Sequence, residues 1–157
     1  MDQDRQDPAG RSNPVPGEFT PAQGRILAGL ARVTIARELE CGIAPSLEAT
    51  LEAACADPAF QQRRGTFVTL TQDGQLRGCI GTLEPREAVW ESVRQNAVNA
   101  AFRDRRFPPL KPSELEITAV EISILTTPQP LEYEDAADLL HRLRPHRDGV
   151  ILRKGIA

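Results

Sequence analysis

Histidine, cysteine and aromatic residues are scarce in this chain, and each scarcity removes a class of function. Two histidines, His141 and His146, and three cysteines, Cys41, Cys55 and Cys79, stand at unrelated spacings. That is neither a disulfide framework nor a zinc pattern. No Ser-His-Asp set can be assembled, and neither a phosphate-binding glycine loop nor a dinucleotide fingerprint is written anywhere, so no cofactor and no metal are expected. An odd number of thiols fits a reducing compartment. No apolar run reaches the length of a membrane span, and the N-terminus lacks the basic-then-apolar pattern of a signal peptide. The expected location is therefore cytoplasmic, away from membranes. Positive charge is not in surplus either: 19 Lys and Arg against 22 Asp and Glu leave a net charge of -3, which argues against general nucleic-acid binding.

What is present reads as one ordinary α+β domain behind an arm. Residues 1–18 carry Pro8, Pro14, Pro16, Gly10 and Gly17 with almost no large apolar side chain, the composition of a disordered arm. The domain is expected over residues 19–157. Thr20-Pro21-Ala22-Gln23 has the form of a capping box with proline at the first helical position, and Ile26, Leu27, Leu30 and Val33 give that helix an apolar face, with Gly42 as its stop. A shorter helix starts at Pro45-Ser46. The longest helical pattern runs from about Pro85 to Arg103, with Val89, Val93, Ala97, Ala100 and Ala101 on one face, and Phe107-Pro108-Pro109 ends it. Pro112 to Leu115 reads as one helical turn, Ile117 to Leu125 as a half-buried strand, and Glu134 to Leu143 as a helix. Asp148-Gly149 reads as a turn and Val150-Ile151-Leu152 as the start of a last strand.

The centre of the sequence is Thr66 to Glu84, TFVTLTQDGQLRGCIGTLE. Phe67 to Thr71 is rich in β-branched and aromatic residues, and Asp73-Gly74 is a two-residue hairpin turn. A regular register from that turn pairs Gln72 with Gln75, Leu70 with Arg77, Val68 with Cys79 and Phe67 with Ile80. It places Arg77 and Cys79 on one face. Gly78 and Gly81 bracket the cysteine, and glycine inside a strand implies either a bulge or a close approach to the backbone.

Leu76-Arg77-Gly78-Cys79-Ile80-Gly81 resembles the signature hexapeptide of the AMMECR domain family, known in prokaryotes as AmmeMemoRadiSam system protein A. Two further blocks carry the resemblance, Asn99 to Leu110 (NAAFRDRRFPPL) and Glu121 to Leu125 (EISIL). It implies a largely antiparallel sheet with packed helices, in two unequal lobes with the hexapeptide at the cleft between them. It also implies a setting among MEMO-like and radical-SAM proteins as partners. Relatives continue past the point where this chain stops. A shortened domain is the resulting expectation, with a sheet edge left open and available for oligomerisation.

Two chemistries are open at the hexapeptide. Cys79 is a candidate nucleophile if Arg77, on the same face, holds it as thiolate, although no histidine stands near as a base. The plainer alternative is a small buried hydrophobe packed on Val68. Arg77 is equally a fork for a small anionic ligand, or one half of a salt bridge with Glu84 or Glu121. Leu76, Arg77, Gly78, Cys79, Ile80, Gly81 and Glu84 are the candidate cleft residues. Glu84 is otherwise a helix-start residue, and Asn96 and Asn99 sit at the wet edge of the long helix. Arg103, Arg105, Arg106 and Lys111 around Asp104 read as a helix C-terminus with an internal ion pair. Two functions follow: an accessory ligand- or protein-binding module, or a thiol-dependent enzyme with Cys79 as nucleophile and Arg77 as anion stabiliser.

Overall fold

The capping box at Thr20 forms as written. The Gln23 amide N–H donates to Thr20 Oγ1 at 3.2 Å and the Thr20 N–H donates to Gln23 Oε1 at 2.9 Å, which opens helix α1, Pro21–Glu38. Its exit is made by Glu40, at φ 55°, and not by Gly42 two residues later. Helix α2, Pro45–Ala54, packs on α1 through Leu51. The computed structural model describes residues 19–145 and 148–152; the expected arm at 1–18 and His146 lie outside them.

Strands β1, Thr66–Gln72, and β2, Gln75–Thr82, form the expected hairpin, with both turn residues at positive φ (Asp73 49°, Gly74 74°). Strand β3, Thr118–Ile124, joins the far side of β1, giving an antiparallel sheet in the order β2-β1-β3. Helix α3, Val89–Phe102, crosses one face. It begins four residues later than the pattern predicts, because the chain before it is held by a bridge between Arg63 and Ala88. The first free helical amides also find tertiary acceptors: Val89 N–H donates to the Gln62 carbonyl at 2.9 Å and Trp90 N–H to that of Phe60 at 3.3 Å. The architecture is α+β.

The core lies between α1, α3 and that face of the sheet, around Leu27, Ile35, Phe60, Val68, Leu70, Val89, Val93 and Ala97, all fully buried. Alanines on α3 allow it to lie very close to β2. A Cβ on Gly78 would sit 2.2 Å from the Ala100 carbonyl oxygen, and one on Gly81 would meet the Phe67 ring at 2.3 Å. Both glycines of the hexapeptide are thus required by internal packing.

Two units divide the chain, Met1–Thr127 and Pro128–Ala157. In the second, Asp135 caps helix α4, Ala136–Arg142, by accepting the Asp138 N–H at 2.8 Å; the Arg142–Asp138 pair lies along that helix and the Arg144–Asp148 pair follows it. None of its described residues is buried. Val150-Ile151-Leu152, read from sequence as a strand, has no regular structure, and Asp148-Gly149 forms no turn before it. A strand needs a neighbour to accept its backbone groups, and no described segment pairs with this one.

The close contact at Gly78 predicts opposite outcomes for two glycine substitutions. Gly78→Ala drives a methyl group into backbone and should cost about 1–3 kcal/mol. Gly24→Ala, within α1 with nothing near its Cβ position, should gain about 0.5–1 kcal/mol. Urea denaturation of both variants checks the pair.

Candidate functional site

The hairpin is not regular, and that decides where the hexapeptide side chains go. After Gln72–Gln75 and Thr71–Leu76 the register shifts by one, so that Leu70 opposes Gly78, Thr69 opposes Cys79 and Val68 opposes Ile80. Arg77 is the extra residue of a β-bulge. The pairings expected for Leu70 with Arg77, Val68 with Cys79 and Phe67 with Ile80 are therefore corrected by one residue, and a one-residue slip reverses faces.

Cys79 consequently stands beside Thr69, with Sγ 3.3 Å from Thr69 Oγ1, half-buried on the face turned away from Val68 and Leu70. Arg77 reaches towards the end of the sheet where Gln72 lies. Its Nε and Nη2 fork onto Glu114 at 2.9 and 3.1 Å, and Nη1 and Nη2 donate to the carbonyls of Pro108 and Pro109 at 2.9 and 3.4 Å. Gln72 Nε2 donates to the same carboxylate at 3.3 Å and to Thr118 Oγ1 at 2.9 Å. Arg77 and Cys79 are thus not the same-face pair that a regular hairpin makes of them. The partner of Arg77 is Glu114, in the 3-10 turn Pro112–Glu114, and neither Glu84 nor Glu121.

The cation beside Cys79 is Arg106. Its Nη2 donates to the Cys79 carbonyl at 3.1 Å, and Asp104 Oδ2 accepts the Cys79 N–H at 2.9 Å. One acid and one base from the segment after α3 thereby take both outward-facing backbone groups of Cys79 on an edge strand, where another strand would otherwise pair. Asp104 is itself buried, and it also accepts from Arg106 Nε at 2.9 Å and Nη2 at 2.6 Å. That fork holds the Asp104 carboxyl far below the usual range, with the Cys79 and Arg106 amides adding to it against the cost of burial. The same pair raises Arg106, with a smaller contribution from the Cys79 thiol. Glu114 is lowered to about 2, first by Arg77 and then by the Lys111 amide and Gln72.

The remaining candidates disperse. Leu76 and Glu84 are exposed, and Glu84 pairs with Arg86 instead of capping α3; the Ala88 N–H at that helix start goes to Glu91 at 3.3 Å. Gly78 is buried, and Ile80 and Gly81 are half-buried. Asn96, expected at a wet edge, is buried and donates to the Thr66 carbonyl at 3.1 Å and to Thr66 Oγ1 at 3.0 Å. Asn99 accepts from Gln95 and Arg103 at the surface. Two shallow grooves, of about 470 and about 310 Å³, share Trp90 and Arg94, and no hexapeptide residue lines either. Cys55 lies at the smaller one, its thiol pushed up by burial with Arg94 opposing. Among the described residues no group of three or more His, Cys, Asp or Glu is placed to hold a metal, and no helix is long and apolar enough to cross a membrane.

Comparison with known proteins agrees with the family resemblance. The AMMECR1 family model matches residues 28–157. This chain belongs to the AMMECR1 family. A Methanothermobacter thermautotrophicus protein is 43% identical over 135 residues, covering 86% of this chain and 68% of the relative. A Methanopyrus kandleri protein is 36% identical over 141 residues, covering 88% and 65%. The crystal structure of the uncharacterized protein PH0010 from Pyrococcus horikoshii superposes with a TM-score of 0.58 at 34% identity, covering 70% of this chain and 54% of that one. The chain thus spans about two-thirds of those two curated relatives and about half of the solved AMMECR1-like chain.

The residues that sequence reasoning left out of the site are Thr69, Asp104, Arg106 and Glu114. Asp104 was visible as the one acid in a run of four charged residues at the end of a helix. Its reach to Cys79 depends on the approach of α3 to β2, which no local pattern encodes.

Both carboxylates contribute stability that is fully present above their unfolded pKa values, near 4, and lost as pH falls through their lowered folded values. Carbon-detected NMR should show Glu114 titrating at about 2. The urea midpoint should decline from roughly pH 4.5 downward. Glu114→Gln should remove part of that decline and cost about 1–3 kcal/mol at pH 7, by taking from Arg77 the negative charge and one of the two acceptor oxygens of its fork.

Proposed function

We propose that this chain is a binding module, with the β2 edge and the segment after α3 as its contact surface. Its partners are the MEMO-like and radical-SAM proteins implied by the family resemblance. The observation that carries this reading is the engagement of the motif's polar groups within the domain itself. All three donor nitrogens of Arg77 are committed to Glu114 and to the carbonyls of Pro108 and Pro109. The Cys79 backbone is committed to Asp104 and Arg106. Such bracing costs a reactive centre its free groups, but it suits a surface that must be rigid before it meets a partner. Capture of a small anion by Arg77 would require breaking its fork with Glu114.

A second reading, a thiol-dependent enzyme using Cys79, is favoured by one observation, the Arg106 guanidinium held on the Cys79 carbonyl at 3.1 Å, which fixes a cation at the residue that carries the thiol. In that reading the charge-stabilising part passes from Arg77 to Arg106. The polar side-chain neighbour at the sulfur is the Thr69 hydroxyl, which has no tendency to take a proton at neutral pH.

The two readings separate on one residue. Cys79→Ser should leave association with a MEMO-like or radical-SAM protein within about twofold, the effect of an exchange that changes little area or charge. Alkylation of Cys79 in the native protein should be no faster than that of Cys41 at pH 7, since both thiols are half-buried. Selective reaction of Cys79 at that pH, together with loss of turnover in Cys79→Ser, would establish the enzyme instead.

A further inference from the structure

The segment that braces the hexapeptide carries charge that the bracing does not use. Between the end of α3 and the 3-10 turn lie four cations, Arg103, Arg105, Arg106 and Lys111, and one acid, Asp104. Asp104 is consumed by Arg106, and Glu114 by Arg77. That leaves Arg103, Arg105 and Lys111, all exposed, and none of the three is ion-paired among the described residues. Arg103 has only a 3.3 Å hydrogen bond to the Asn99 side chain. On a chain of net charge -3, three unneutralised cations within nine residues are a local inversion of sign.

These cations are also held on a fixed frame. Asp104 and Leu110, near the two ends of the segment, are buried. Phe107 N–H donates to the Asp104 carbonyl at 3.0 Å and Leu110 N–H to that of Ala101 at 2.8 Å, while Arg77 grips Pro108. Two consecutive prolines restrict the backbone further. Little backbone entropy remains to be lost when a partner docks, and arginine on a rigid frame is a common source of binding energy.

We infer that Arg103, Arg105 and Lys111 form a docking patch for an acidic protein segment, one rich in Asp and Glu. The inference rests on the binding-module reading and names the chemistry of its partner. Single-stranded nucleic acid is the poorer match: it needs a longer basic track and open aromatic faces for stacking. Here the only aromatic of the segment, Phe107, is half-buried with the Arg106 guanidinium 5.4 Å from its ring centre.

The test uses the full chain with three probes at low salt: hexaglutamate, a twelve-nucleotide single-stranded DNA, and phosphatidylserine vesicles. Binding is followed by backbone amide NMR and by titration. Hexaglutamate should shift the signals of residues 103–111 and bind more tightly than the DNA or the vesicles. The triple change R103E, R105E and K111E should weaken it about tenfold or more, as reversal of matched charges does. The change R25E, R63E and R64E, equal in net charge but placed elsewhere, should alter it by less than about twofold, since it removes only distant, screened charge. Equal weakening by both triples, or tighter binding of DNA or vesicles, would overturn the patch. A Leu76→Asp variant keeps the two readings apart. If it abolishes binding of a MEMO-like or radical-SAM protein while hexaglutamate still binds at 103–111 and R103E, R105E and K111E leave that protein bound, the module reading stands and the patch as its docking site fails. If hexaglutamate binds as expected and no such protein binds the wild type, the module reading fails with its named partners.

Discussion

The buried carboxylate of Asp104 is the interaction on which the hexapeptide depends. It accepts the amide of Cys79 and forks onto Arg106, which returns to the carbonyl of the same cysteine. An edge strand ordinarily leaves such groups to water or to another chain. Here the segment that follows the next helix, α3, takes them, and in doing so it fixes β2 against the end of α3. A buried acid with one exposed cationic partner is costly unless its remaining lone pairs are also satisfied. The Cys79 and Arg106 amides satisfy them.

A second brace works on the same principle a few residues along. The bulge at Arg77 turns that side chain away from Cys79 and into a polar knot with Glu114, Gln72 and the Pro108 and Pro109 carbonyls. Together the two braces tie β2 to the loop after α3 at both ends of that loop. Gly78 permits the approach, since any side chain there would collide with the Ala100 carbonyl. The hexapeptide is therefore explained largely by packing and by internal hydrogen bonds. What it offers outward is a shaped surface with a half-buried thiol and a rim of cations.

Much of the architecture was legible in the sequence because its signals are local. The capping box at Thr20, the Asp73-Gly74 turn, the alanine-rich face of α3 and the alternation of β3 each depend on residues within one or two turns of one another. The site was legible only as a place. Its register failed at Arg77, where an unpaired residue inserts without any sequence mark beyond the neighbouring glycine. Asn96 was misplaced because its partner, Thr66, lies thirty residues away and is brought to it only by the packing of α3 on β1. Val150 to Leu152 shows the converse: strand-forming residues alone do not make a strand where no neighbour accepts their backbone groups.

Hydrogen exchange at the Cys79 amide tests the central claim most directly, that Asp104 and Arg106 close the β2 edge at this residue. An outward-facing amide on an edge strand exchanges readily unless something other than a strand protects it. The account predicts strong protection of Cys79 in the wild type and its loss in Asp104→Asn, with Leu70 and Val68 in the interior of the sheet remaining protected in both. Rapid exchange of the Cys79 amide in the wild type, or protection unchanged in the variant, would contradict it.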